Sequence, residues 1–85
     1  GASAGQWVKP AKVRMARLTR TSGGRAMKVL VSSTKGKERI RIRMYSARGG
    51  MVAETSRTVA TNRVVRVSGL RIAKQVKTVK ATVIN

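Results

Sequence analysis

The residues of this chain equipped to do chemistry are its cations. Lys and Arg make up 20 of 85 residues against two acids, Glu38 and Glu54, with no Asp, His or Cys, for a formal charge of +18. Arg39, Arg41 and Arg43 recur at every second position. That period places strand side chains on one face, roughly 6–7 Å apart. It is close to the spacing of successive phosphates or sulfates along an extended polyanion, and guanidinium forks bind such oxyanions through paired hydrogen bonds. Tyr45 continues the same parity and forms the apolar or stacking flank of the strip. Lys28, Arg66 and Lys80 fall at outward positions of other strands and are expected to extend the patch. The partner implied is an anionic polymer (a cell-envelope polymer, a glycan or a nucleic acid), bound with an affinity that falls steeply as salt rises.

Catalysis is not expected. General acid–base work draws on His or a carboxylate pair, and the chain offers two separated glutamates. Metal sites need clustered His, Cys, Asp or Glu, and nothing clusters, so no metal and no cofactor are expected. Ser32-Ser33-Thr34-Lys35 fits the S-x-x-K pattern. That dyad needs a helical turn to bring Lys over Ser, whereas these residues end a strand and enter a Gly turn. No Gly-rich loop leads into a helix to cradle a phosphate. Arg48-Gly49-Gly50 has the RGG form, but a single copy between strands reads as a turn. Trp7 and Tyr45 are the only aromatic residues, which equips the chain poorly for base stacking. Trp7 reads as packing on the first strand or as part of the lead.

Each basic residue taken singly fits a solvated strand face, where Lys and Arg blunt sheet edges and cover apolar surface with their stems. The set as a whole does not, because a merely soluble surface mixes both signs. The near absence of acids is what turns a solvated face into an expected binding face.

The elements that must position these cations are strands. The chain is long enough for one domain, near the lower end of what folds without staples, and it has no cysteines to cross-link. Hydrophobic residues are 41% of the chain, and the β-branched ones among them favour strands. No apolar run approaches the roughly 18 residues of a membrane span. Residues 1–10, opening with Gly1-Ala2-Ser3-Ala4-Gly5, read as a flexible lead, and 11–85 as a single β domain. Residues 11–20 read as a first strand with a bulge near Met15 and Ala16, where the apolar parity changes. Met27, Val29 and Val31 alternate in a second strand. Residues 38–45 give a third, with Ile40, Ile42 and Met44 facing opposite to the arginines. A more polar strand covers 51–59, a short one 64–68 and a last one 76–84, with Val79, Ala81 and Val83 inward. Gly-containing turns separate most of them. The expected core is Val29, Val31, Ile40, Ile42, Met44, Val65, Val67, Val79 and Val83. Six short strands at this spacing predict an all-β fold, a small antiparallel β-sandwich of about six to seven strands. A five-stranded OB-like or SH3-like barrel is the alternative.

Arg66-Val67-Ser68-Gly69-Leu70 followed by Lys77-Thr78-Val79-Lys80-Ala81-Thr82-Val83 resembles the closing part of an immunoglobulin-like or fibronectin type III-like module. The segment from Met44 to Ala53 is similar to the mid-module hairpin of bacterial surface immunoglobulin-like domains. The resemblance spans about residues 40–84, with Lys77 standing where the family places a corner Tyr. It implies a sandwich and a non-catalytic role in a secreted or cell-surface protein, as structural spacer and binder of anionic polymers through a basic face. The other reading is a cytoplasmic, sequence-nonspecific nucleic-acid-binding β-barrel protein, and it rests on charge alone.

Overall fold

The computed structural model describes residues 10–84, in which six strands and no helix are found. They are β1 (Lys12–Thr21), β2 (Gly24–Ser32), β3 (Lys37–Ser46), β4 (Met51–Ala60), β5 (Val64–Val67) and β6 (Val76–Ile84). Two three-stranded sheets form, one in the order β1-β2-β5 and the other β4-β3-β6, with every pairing antiparallel. The first is sheet A and the second sheet B. Their inner faces share one apolar core, so the domain is the small antiparallel sandwich that the strand spacing predicts. The expected lead, including Trp7, lies outside the described residues except for Pro10. No helix here is long and apolar enough to cross a membrane.

The core sits between the two central strands because only they have neighbours on both sides. Met27, Val29 and Val31 of β2 and Ile40, Ile42 and Met44 of β3 are buried, joined by Val59, Val67 and Val76 from the flanking strands. Each such side chain contributes about 1.5–3 kcal/mol relative to exposure. Val65, Val79 and Val83 pack against this cluster while remaining partly exposed. Met27, Val59 and Val76 join the core beyond the residues expected there.

Three register shifts decide which side chains enter it. In β1 the shift lies between Val13 and Met15, one step earlier than the parity change suggests. It directs Val13, Ala16 and Leu18 inward and leaves Met15 opposite outward-facing Leu30. In the β3–β4 pair, Met44 faces Ala53 and Tyr45 faces Met51, so Val52 is the extra residue. Val52 packs on the core and Met51 turns outward, 56% exposed. In the β3–β6 pair, Tyr45 faces Thr78 and Ser46 faces Val76, which makes Lys77 the extra residue and buries Val76 completely. One inserted residue reverses the facing of everything beyond it.

Side chains and loops close the sandwich where the ladders stop. β1 lies along β6 at one edge and β4 approaches β5 at the other, without sheet hydrogen bonds. Arg57, at a core-facing position of β4 opposite Ile40, donates to Thr55 Oγ1 and Ser56 O, both at 2.7 Å, and to Gly69 O at 3.3 Å. Arg25 of β2 donates to Val76 O at 2.6 Å and to Ala73 O, fastening the link that leads into β6. These two cations serve the fold, with their donors spent on backbone carbonyls and a hydroxyl of the same chain.

Two of the three crossings from sheet to sheet, β2 to β3 and β4 to β5, meet at one end. Asn62 stands there at φ 63°, a left-handed conformation that Asn tolerates better than most residues. Thr61 N donates to Gly36 O and Asn62 N to Val31 O. Ser33 Oγ donates to the Glu38 carboxylate, which occupies one of the two acids of the sequence.

Candidate polyanion interface

The outer face of sheet B is built on β3. Since Ile40, Ile42 and Met44 point into the core, alternation sends Lys37, Arg39, Arg41 and Arg43 outward in a single file. Register supplies their neighbours. Arg39 lies between Thr58 and Ile84, Arg41 between Ser56 and Thr82, and Arg43 between Glu54 and Lys80. Lys80 therefore joins the file as expected. A shallow depression lined by Lys35, Lys37, Glu38, Arg39, Thr58 and Ile84 continues it toward the β2–β3 loop. Lys37 was readable in the sequence as one more step of the same parity. Lys35 was not, since its approach depends on the loop.

Glu54 sits inside the file. Its Oε1 accepts from Arg43 Nε at 2.9 Å and lies 3.3 Å from Arg41 Nε. The hydrogen bond and then the charge of Glu54 raise the Arg43 pKa from its ordinary value. Both guanidiniums keep nearly half of their side-chain surface exposed, at 42% and 46%, with N–H groups to spare. Arg39 donates to Ser56 Oγ at 3.0 Å, a neutral partner that leaves its charge uncompensated. The arrangement holds guanidiniums in an ordered row through contacts on one side of each fork, leaving the other side open to oxyanions.

Tyr45 closes the file beside Met51 and Thr78. The Lys80 ammonium lies 5.5 Å from its ring centroid, within cation–π range. The ring thus holds Lys80 next to Arg43, which makes Tyr45 a support for the cations more than a stacking platform for a ligand.

Lys28 and Arg66 do not extend this file. Both are on sheet A, paired directly opposite each other, and their outward faces point to the far side of the sandwich. Alternation within a strand gives the face of a side chain but not the sheet that carries it. The basic surface expected as one patch is therefore two, separated by the core.

Comparison with protein-family models, curated proteins and solved structures yields no match to this chain.

Proposed function

We propose that this protein is a non-catalytic immunoglobulin-like module of a secreted or cell-surface protein that holds anionic polymers against the outer face of sheet B. The observation that carries the reading is the outward file Lys37, Arg39, Arg41, Arg43 with Lys80 alongside it. Its cations repeat at the interval of an extended polyanion's charges, and among the described residues the ion pairs that oppose them are those made by Glu54. The module assignment is supported by strand order. β1-β2-β5 with β4-β3-β6 corresponds to strands A-B-E and C′-C-F of an immunoglobulin-like sandwich. Among the described residues the face carries only shallow, open depressions, which suits a polymer lying across it better than a small molecule.

The test is binding of a heparin-like glycan, a teichoic-type polymer and DNA over a range of salt. R39Q/R41Q/R43Q is expected to weaken binding and to flatten the salt slope by up to about three contacts. The sheet should remain intact, because these side chains leave the core. R20Q and R71Q, at a strand end and in a link, are expected to matter less. Equal loss from all five substitutions would leave only a diffuse positive field. A strong preference for DNA over both envelope-type polymers at matched salt would replace the surface-module reading with nucleic-acid binding.

A further inference from the structure

The two central strands face opposite ways, and the outer face of sheet A has its own row of cations. Arg17 of β1 stands directly opposite Lys28 of β2, and Lys28 directly opposite Arg66 of β5. Neighbouring strands are roughly 4.8 Å apart, so three positive side chains lie side by side across the sheet. Like charges in direct cross-strand opposition destabilise a sheet. Nothing in the chain's own acids relieves them, since Glu54 is engaged by Arg41 and Arg43 and Glu38 by Ser33. The next row is apolar: Met15, Leu30 and Val64 stand opposite one another, and Val64 is 54% exposed.

A solvated face would place an acid or a neutral residue at one of the three positions. An uncompensated row is instead what an oxyanion from outside would neutralise, three forks and ammoniums converging on one stretch of phosphates or sulfates. We infer that sheet A carries a second polyanion site, Arg17–Lys28–Arg66, and that the domain is bivalent, bridging two polymer chains across its thickness. The row runs across the strands of sheet A, whereas the file on sheet B runs along β3. The two sheets are roughly 10 Å apart, with their cations directed away from each other. A single chain reaches both faces only by wrapping an edge. Bridging rests on the reading of the β3 file as a polymer site; the sheet A row does not.

The experiment mixes the 85-residue chain with two pools of a short thymidine oligonucleotide, one carrying a donor dye and the other an acceptor. Energy transfer reports two strands on one domain, and anisotropy of a single labelled pool reports binding of one. Wild type is expected to give both signals. R17Q/K28Q/R66Q is expected to keep the anisotropy change and lose the transfer, with a salt slope reduced by up to about three contacts. R17Q/R66Q, which alters only the two exposed members of the row, is expected to move the same way, so a packing defect at Lys28 cannot explain the loss. R48Q/R71Q/K74Q removes as much charge from a turn and a link and is expected to retain transfer. Transfer that survives in R17Q/K28Q/R66Q overturns the second site, as does equal loss in the control. Anisotropy without transfer in wild type overturns bivalency. The triple variants then separate the causes: unchanged anisotropy in R39Q/R41Q/R43Q means the β3 file is no site, unchanged anisotropy in R17Q/K28Q/R66Q means the sheet A row is none, and loss in both means one strand wraps the domain.

Discussion

The Asn62 side-chain amide pairs with the Ser33 backbone in both directions, its Oδ1 accepting from Ser33 N at 3.1 Å and its Nδ2 donating to Ser33 O at 2.7 Å. The amide thereby acts as a short piece of strand, joining the loop that leaves sheet A to the loop that returns to it. Asn62→Ala removes both bonds and puts a Cβ residue without a local polar partner at φ 63°. Chemical denaturation is expected to show a loss of about 2–4 kcal/mol, combining the left-handed penalty with two net hydrogen bonds. Asn62→Gly keeps the backbone conformation and loses only the bonds, so it is expected to cost less than Asn62→Ala. Equal costs would mean that the conformation is not what Asn62 secures.

Glu54 competes with any polymer for Arg41 and Arg43. Glu54→Gln is expected to raise affinity for heparin-like glycan and to steepen the salt slope by about one contact. Titration across two or three salt concentrations checks this. Weaker binding would show that Glu54 is needed to hold the guanidiniums in position and is not a competing anion.

Ile42 is the middle residue of the most buried strand of sheet B and has no exposed surface. Ile42→Ala is expected to cost about 2–5 kcal/mol, a large fraction of the roughly 5–15 kcal/mol that holds a typical domain folded. Circular dichroism and a denaturant titration measure it. A cost below about 1 kcal/mol would place Ile42 in a site that collapses without strain.

Added salt is expected to raise the thermal midpoint. Screening weakens repulsion among twenty cations, while the ion pairs it also weakens are the two made by Glu54 among the described residues. R17Q/R66Q is expected to raise the midpoint at low ionic strength, with the gain shrinking as salt is added. A midpoint that falls with salt would show charge balance by contacts other than these.

Strand order along the chain was legible because alternation and Gly turns are local properties, and β6 begins and ends where its pattern does. What alternation cannot show is an extra residue. Val76 has the parity of outward-facing Thr78 and Lys80, and only the bulge at Lys77 turns it into the core. Met51 has the parity of buried Val59 and is thrown outward by Val52. The β3 file was legible for the same reason as the strand itself. Its partner Glu54 was not, because opposition across a hairpin depends on register. Lys28 and Arg66 were recognisable as outward, but their sheet is set by pairing with β1 and β5 across the fold.

Pairing also sets where the domain is held. Lys12 of β1 lies opposite Ser32, and Ile84 of β6 lies opposite Arg39, close to where Lys37 meets Ala60. First and last strands thus begin and finish at the end where Asn62 ties the loops together. Tension applied between Lys12 and Ile84 would not draw the sandwich lengthwise. It would peel β1 from β2 and β6 from β3 one hydrogen bond at a time, like a zip, instead of loading the whole ladder in shear. Joined to neighbours through those two points, the domain would hang from them as a pendant lobe, swinging both basic faces clear of the backbone that carries it.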